Sequence, residues 1–241
     1  MKNIYQNILA SISKEKKLLA VLIDPDKIKF EALSGFMNKL NQSVATHIFV
    51  GGSIVKGNAT EVLVVELKKH TDLPIVLFPG DVSQITKEAD AILFLSLISG
   101  RNADYLIEKH IASVSKLRET SLEVIPTGYM LIENGKETAV QRVTGTKPIP
   151  RDDVRIIVDT AKAGELLGMK LIYLEAGSGA LQSVSLESIK KVKEEIKCPL
   201  IVGGGIKNLK QLKEAYHAGA DLVVIGTAFE EDDTFFEQLK K

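Results

Sequence analysis

Eight short apolar runs, each of strand length, recur along the chain with segments of helix length between them. They cover residues 18–23, 47–50, 75–78, 91–95, 123–127, 170–174, 200–202 and 222–225. Buried parallel strands read as continuous Val, Ile and Leu, as the first of these runs does. Eight such strands alternating with amphipathic helices predict an α/β fold of the (β/α)8 barrel type. We expect a single domain over residues 1–241, because these barrels occupy about 250 residues as one unit.

Two of the connections depart from the regular pattern. Only residues 80–90 join the third and fourth strands, so we expect a short or irregular connection that covers this flank thinly. A long apolar ligand could lie along such a flank. The connection 129–151 is long and contains Asn134-Gly135 between alternating residues, which predicts a hairpin followed by a loop that acts as a lid.

Charge and composition argue against several classes of protein. The 31 basic residues balance the 31 acidic ones, so no global field attracts nucleic acid or an anionic membrane surface. No apolar run reaches the roughly 18 residues of a membrane span, and the N-terminus does not resemble a signal peptide. The single Cys198 has no disulfide partner, and the four histidines form no metal motif. We expect a cytoplasmic protein without stable membrane insertion.

Glycine-rich turns follow the last two predicted strands. Gly204 and Gly205 come after the seventh strand, and Gly226 and Thr227 come after the eighth. In barrels of this class a phosphate often binds after strands seven and eight, where backbone N–H groups and a helix N-terminus face the anion. Each glycine alone could equally serve only to make a tight turn. Because both strands end in this way, the pattern favours a phosphate site.

The first two strands end in residues that suit a magnesium ion. Asp24 follows the first strand and Ser53 follows the second. Mg²⁺ is held in proteins by one or two carboxylates, with waters and substrate phosphates completing its shell. Each side chain could instead cap the helix that follows it, and for the nearby Asp26 we prefer that role.

The sixth strand carries the best candidate for a catalytic group. Strand alternation places Glu175 on the same face as Tyr173, one layer above it. A carboxylate at the end of a buried strand is costly unless it has a partner, so a purely structural role is less favoured. Its carboxylate could accept a proton from a substrate hydroxyl. The turn Gly177-Ser178-Gly179 that follows offers further N–H donors.

Several of these segments together resemble the geranylgeranylglyceryl phosphate synthases, in particular the branch of the Bacteroidetes. The resemblance extends over essentially the whole chain. Its most specific parts are the block Tyr173-Leu-Glu-Ala-Gly-Ser-Gly179 and the Asp24-Pro25 strand end. One departure is Leu22, at a position where some relatives have a phosphate-binding Lys. Lys27 or Lys56 could supply that contact.

The resemblance implies a prenyltransferase that joins sn-glycerol 1-phosphate to geranylgeranyl diphosphate by an ether bond and releases diphosphate. It implies Mg²⁺ held by Asp24 and Ser53 and a homo-oligomer (a dimer or a hexamer). As a hypothesis for the mechanism, we expect Glu175 to accept the proton of the attacking hydroxyl. The implied glycerol phosphate site comprises Tyr173, Leu174, Glu175, Ala176, Gly177, Ser178, Gly179, Gly204, Gly205, Gly226 and Thr227. Leu97 and Tyr105 are candidate wall residues for the prenyl chain.

Two other functions stay open on the residues alone. A phosphosugar isomerase or aldolase would share the phosphate turns and could use Asp24 with Glu175. A non-catalytic protein that binds a phosphorylated metabolite would keep the glycine turns, yet it would need neither Glu175 nor a metal pair. Mg²⁺-dependent release of diphosphate from a prenyl donor distinguishes the prenyltransferase from both.

Overall fold

In the computed structural model, which describes residues 3–226, 239 and 240, eight parallel strands close into a barrel. Each strand pairs with the next along the chain, and β8 closes the ring against β1. The strands are β1 Leu18–Ile23, β2 His47–Val50, β3 Ile75–Leu77, β4 Ala91–Leu97, β5 Glu123–Leu131, β6 Leu171–Glu175, β7 Leu200–Gly203 and β8 Leu222–Ile225. The predicted (β/α)8 barrel is confirmed.

Helices surround the barrel, and one further helix closes its base. Those in the described residues are α1 Ile4–Ile12, α2 Phe30–Gln42, α3 Ala59–Leu67, α4 Lys109–Arg118, α5 Ala139–Thr144, α6 Val154–Leu166, α7 Leu186–Glu195 and α8 Leu209–Ala218. A π-helical turn, Asp104–Glu108, leads directly into α4. No helix among the described residues is both long enough and apolar enough to cross a bilayer.

The strand that differs most from its predicted bounds is β5. The prediction ended at Thr127, where the apolar run gives way to Gly128. In the structure β5 continues to Leu131, because its later residues pair with β4 on one side and with β6 on the other. This extension places Tyr129 inside the barrel, next to Tyr173.

The predicted short connection between β3 and β4 is confirmed. In place of a helix it has one 3-10 turn, Val82–Gln84, in which the Asp81 side chain accepts a hydrogen bond from the Ser83 N–H. The buried Gln84 side chain donates to the Gly52 carbonyl at 2.7 Å. This contact ties the connection to the end of β2, and the helix that packs beside the connection is α4, whose Lys109 pairs with Asp81.

The hairpin predicted at Asn134-Gly135 is wrong. The Asn134 carboxamide oxygen accepts from the Lys136 N–H at 3.2 Å, a local turn that mimics a hairpin signal in the sequence. Thr138 then caps the short helix α5, and Ile132 forms a parallel bridge with Ile149. Since α5 follows instead of a returning strand, the segment lies over the mouth of the barrel.

Two of the outer helices begin at side-chain caps, whereas the helix after β1 does not. Asp153 caps α6, and Asn208 caps α8, each by accepting an N–H of the first turn. The cap proposed for Asp26 is wrong: α2 begins at Phe30 after Lys29, which makes no side-chain cap, and the Asp26 carboxylate instead accepts from the Lys56 N–H.

Helix α1 closes the bottom of the barrel. Ile4 and Ile8 pack against the side chains that fill the barrel interior. The N–H groups of Ile4 and Tyr5 donate to the Glu123 carboxylate at the start of β5, so an anion lies at the helix N-terminus.

Removal of this carboxylate should weaken the closure of the base. We expect Glu123→Ala to lower the free energy of unfolding by about 1 kcal/mol, because two helix N–H groups lose their acceptor. Urea denaturation followed by circular dichroism measures the change. Glu119→Ala, at an exposed carboxylate on the end of α4, is the control and should leave stability nearly unchanged. Equal losses in both variants would contradict the assigned role.

Candidate active site

A cavity of about 940 Å³ opens at the C-terminal end of the barrel, and residues at the ends of all eight strands line it. Active sites of (β/α)8 barrels lie at this end, because the βα loops there converge on one space. The cavity has a polar part beside β6, β7 and β8 and an apolar part that extends along β4 toward α4.

Glu175 lies at the polar part, at the last position of β6. Its side chain is buried, and Oε1 accepts a hydrogen bond from the Gly177 N–H at 2.5 Å. Burial raises the pKa of the Glu175 carboxyl, while the Gly177 N–H and the nearby Tyr173 hydroxyl oppose that rise. A carboxylate with a raised pKa is a better proton acceptor than an exposed one, so this group is suited to general base catalysis.

An aromatic layer lies directly below Glu175. The Tyr173 and Phe78 rings stack with their centroids 5.3 Å apart, and the Tyr129 ring meets Tyr173 edge to face at the same distance. The Tyr173 hydroxyl is buried beside the Glu175 carboxylate and has no hydrogen-bond partner among the described residues. It therefore has a donor available for a ligand or for Glu175 itself.

The glycines at the end of β7 and directly after it make room for the carboxylate. An added Cβ at Gly203 would lie 2.9 Å from Oε2 of Glu175, and one at Gly204 would lie 2.5 Å from Oε1. Gly204 also has a φ of +82°, and Gly205 has a φ of +73°. Here the glycines serve two purposes, since they form the turn and also admit Glu175 to the cavity.

The structure brings most of the predicted glycerol phosphate residues together. Those that line the cavity are Tyr173, Glu175, Gly177, Ser178, Gly179, Gly204, Gly205 and Gly226. The side chains of Leu174 and Ala176 point the other way, into the core between the barrel and the helices. The Ala176 N–H donates to the Gly203 carbonyl at 3.0 Å, which continues the pairing of β6 with β7. Thr227 lies outside the described residues.

Asp24 and Ser53 line the opposite side of the same cavity. The Asp24 carboxylate accepts from the Asp26 N–H at 3.1 Å and lies 3.8 Å from the Lys27 ammonium. It occupies space that a side chain at Gly52 would fill, because an added Cβ there would lie 2.9 Å from Oδ1. The two predicted metal ligands therefore share one wall, with oxygen atoms of the type that Mg²⁺ prefers.

The apolar part of the cavity lies beside the short β3–β4 connection, between β4 and α4. Leu97 and Tyr105, the predicted wall residues, both line it. The Tyr105 hydroxyl donates to the Val143 carbonyl near the end of α5 at 3.3 Å, which links the π-helical turn to the segment over the cavity. A long apolar chain that enters at the barrel mouth can extend along this part.

Two polar groups near the cavity could not be predicted from the sequence. His110 on α4 is buried, lines the cavity and contacts Ser96 on β4, with 3.1 Å between Nε2 and the hydroxyl oxygen. Lys136, on the segment over the mouth, also lines the cavity. Neither belongs to a local motif, so only the packing of α4 on β4 and the true course of the chain after β5 reveal them.

Comparison with known proteins decides between the functions that the residues left open. Residues 10–241 match the PcrB family. The chain belongs to this family. It is 57% identical to the geranylgeranylglyceryl phosphate synthase of Flavobacterium johnsoniae over 98% of both chains. It is also 57% identical to that of Zunongwangia profunda, over 95% of this chain and 98% of the relative.

A solved structure agrees with this assignment. The crystal structure of (S)-3-O-geranylgeranylglyceryl phosphate synthase from Thermoplasma acidophilum, in complex with its substrate sn-glycerol-1-phosphate, has a TM-score of 0.92 to this chain. The two chains are 31% identical, and the match covers 99% of this chain and 96% of that one. The predictions of the family and of a prenyltransferase of this type are confirmed. The comparisons favour this activity over an isomerase, an aldolase or a non-catalytic phosphate-binding protein.

Proposed function

We propose that the chain transfers the geranylgeranyl group of geranylgeranyl diphosphate to the C3 hydroxyl of sn-glycerol 1-phosphate. The observation that carries the assignment to particular residues is the position of Glu175. Its buried carboxylate lies between the glycine turns on one side and the apolar part of the cavity on the other. An acceptor alcohol and an apolar donor chain can meet there.

The acceptor occupies the polar part in this proposal. Backbone N–H groups of the turns after β6, β7 and β8 face the phosphate, as expected for an anion at glycine-rich strand ends. The glycerol hydroxyls then lie near Glu175 and the Tyr173 hydroxyl, whose unsatisfied hydrogen-bonding capacity supports a ligand at this place. The prenyl chain lies along β4 toward α4.

Mg²⁺ is part of the proposal, and Asp24 and Ser53 are the residues that would hold it. Within the described residues no cluster of three or more His, Cys, Asp or Glu could bind a metal alone. The carboxylate of Asp24 and the hydroxyl of Ser53 fit Mg²⁺, which takes one or two carboxylates together with substrate phosphates and water. When bound, the ion would neutralise charge on the departing diphosphate.

The chemical step breaks one bond, forms one bond and transfers one proton to an acceptor. The bond between C1 of the prenyl group and its diphosphate oxygen breaks, and the diphosphate leaves with the electron pair. The C3 oxygen of the glycerol phosphate forms the new bond to C1, and its proton passes to Glu175. The aromatic and aliphatic walls exclude water, which would otherwise compete as the acceptor.

The proposal is tested by incubating the purified protein with labelled sn-glycerol 1-phosphate, Mg²⁺ and prenyl diphosphates of increasing length. We expect label to enter the lipid-soluble fraction, with equimolar release of diphosphate and with a maximum at the geranylgeranyl donor. No transfer with any of these donors would refute the proposal. Label in a water-soluble isomerised product would favour the isomerase.

The magnesium assignment gives a separate prediction. We expect Asp24→Asn to raise the Mg²⁺ concentration needed for half-maximal activity by about tenfold or more, because a charged ligand becomes a neutral one. Titration of activity with Mg²⁺ measures this, and Asp26→Asn is the matched control two residues away. If both variants respond to Mg²⁺ like the parent, Asp24 is not a ligand.

A cytoplasmic location and a homo-oligomer (a dimer or a hexamer) complete the proposal. Support for self-association comes from α4 and the turn before it, where Ile107 and Ile111 expose 51% and 61% of their surfaces. Apolar side chains exposed to this extent on neighbouring turns favour burial against another chain. Light scattering in solution measures the state directly.

A further inference from the structure

Lys136 lies at the rim of the cavity, on the β5–α5 loop (residues 132–138), which crosses the turn after β6. The Lys136 ammonium nitrogen is 3.2 Å from the position that a Cβ would occupy at Gly179. The absence of a side chain at Gly179 therefore lets this cation lie directly against the backbone of the Gly177-Ser178-Gly179 turn.

The β5–α5 loop is fixed to this turn by a buried amide. Asn134 is 2% exposed, and its carboxamide NH₂ donates to the Ala176 carbonyl just before the turn. The same carboxamide accepts from the Lys136 N–H. Thr138 packs on the other side of the turn, since an added Cβ at Gly177 would lie 2.5 Å from its methyl group. The backbone from which the Lys136 side chain extends is thus held in place.

The charges around the cavity single out Lys136. Five basic residues line it: Lys27, Lys109, Lys136, Arg142 and Lys207. Three of them have carboxylate partners: Lys27 pairs with Asp24, Lys109 with Asp81 and Arg142 with Glu137. Lys136 and Lys207 form no ion pair with any described residue. Of these two, Lys136 is the one whose ammonium lies beside a glycine turn of the proposed phosphate site.

On the other side of the phosphate site, the residue on β1 that faces the β8 turn is apolar. Leu22 presents an apolar side chain there, 3.5 Å from the position of a Cβ at Gly226. Backbone N–H groups supply hydrogen bonds but no net charge, whereas a phosphate monoester is close to doubly ionised at neutral pH. A flexible lysine that reaches the turn provides the missing charge as a point cation with three donors.

We propose that Lys136 binds the phosphate of the glycerol phosphate acceptor and that Asn134 is the residue that positions it. This inference rests on the proposed function, because it assigns the acceptor phosphate to the turns after β6, β7 and β8. Lys136 contributes to acceptor affinity and takes no part in the proton transfer to Glu175.

The test compares three substitutions of exposed lysine side chains. Because these side chains are exposed, we expect the variants to fold like the parent. Calorimetry measures the binding of sn-glycerol 1-phosphate, and of inorganic phosphate, to Lys136→Met, Lys136→Arg and Lys147→Met. We expect Lys136→Met to weaken both ligands about tenfold, since one charge-assisted hydrogen bond is lost. Lys136→Arg keeps the charge and should restore most of the affinity. Lys147, exposed on the same connection but outside the cavity lining, is the control and should bind like the parent.

Kinetics separate binding from chemistry. In Lys136→Met the KM for glycerol phosphate should rise about tenfold while kcat changes less than about twofold, and the dependence of KM on salt should weaken. Asn134→Ala should weaken acceptor binding in the parent but add little in the Lys136→Met background, as a positioning role requires.

Three results would overturn the inference: unchanged acceptor affinity in Lys136→Met, an equal loss in Lys147→Met, or a fall in kcat at unchanged KM. Binding is measured without a prenyl donor, so the outcome does not depend on turnover. If the parent binds glycerol phosphate through Lys136 but transfers no prenyl group, the proposed function fails while the site assignment stands.

Discussion

Glu175→Gln is expected to lower kcat by about 10²- to 10⁴-fold, the usual range for loss of a general base. The glutamine has nearly the same shape and can still accept from the Gly177 N–H, so the turn after β6 keeps its contact. We expect the dissociation constant for sn-glycerol 1-phosphate to change by less than about threefold. A loss in turnover without a loss in affinity is the pattern of an interaction needed only in the transition state.

The pH dependence of the parent enzyme follows from the same carboxyl group. A general base must be ionised to accept a proton, and burial raises the pKa of Glu175 above its usual value. Activity should therefore fall as the pH is lowered, and the fall should begin at a higher pH than an exposed glutamate would produce. In Glu175→Gln the residual activity should lose this acidic limb.

The matched control for Glu175 is Glu133→Gln. Glu133 lies two residues beyond the end of β5, is exposed and does not line the cavity. Turnover near the parent level in Glu175→Gln, with an acidic limb that persists, would show that another group accepts the proton. Equal losses in the two variants would show that the effect is not specific to the buried carboxylate.

The strand ends were predictable because parallel strands of a barrel leave a distinct signal. Most of the apolar runs stop at residues that favour a turn, and the ends of parallel strands converge at one face of the barrel. Asp24, Ser53, Glu175 and Gly204 could thus be assigned to a single site before any distance was known. The alternation that placed Tyr173 under Glu175 is equally local, and the structure shows that packing.

The segment after β5 could not be predicted, for a physical reason. Asn134-Gly135 favours a tight turn wherever it occurs, and nothing nearby in the sequence shows whether a strand or a helix follows. The continuation of β5 past Gly128 depends on pairing with β4 and β6, which are distant in the chain. The same dependence on distant residues conceals the His110 contact with Ser96 and the placement of Lys136 over the β6 turn.

Gly204→Ala is expected to lower kcat by about 10²-fold, because the new methyl group displaces the catalytic carboxylate. Its Cβ would lie 2.5 Å from Oε1 of Glu175 and 2.5 Å from the Gly177 nitrogen, the two atoms of one hydrogen bond. The carboxylate, the turn after β6 or both must move. A displacement of about 1 Å at a reacting group is sufficient for a loss of this size.

This substitution has two effects, the displacement of Glu175 and backbone strain, and they have to be separated. Gly204 has a φ of +82°, at which alanine is strained by about 1–2 kcal/mol. Gly168→Ala provides the matched control, because Gly168 has a φ of +93° and an added Cβ there meets no atom within 4 Å. Both variants should unfold at lower urea concentrations than the parent, but only Gly204→Ala should lose turnover under conditions where both remain folded.

If Gly168→Ala loses as much turnover, backbone strain accounts for the effect. If Gly204→Ala turns over at the parent rate while folded, Glu175 does not have to occupy the space that Gly204 leaves open, and the fixed geometry argued for the base is wrong.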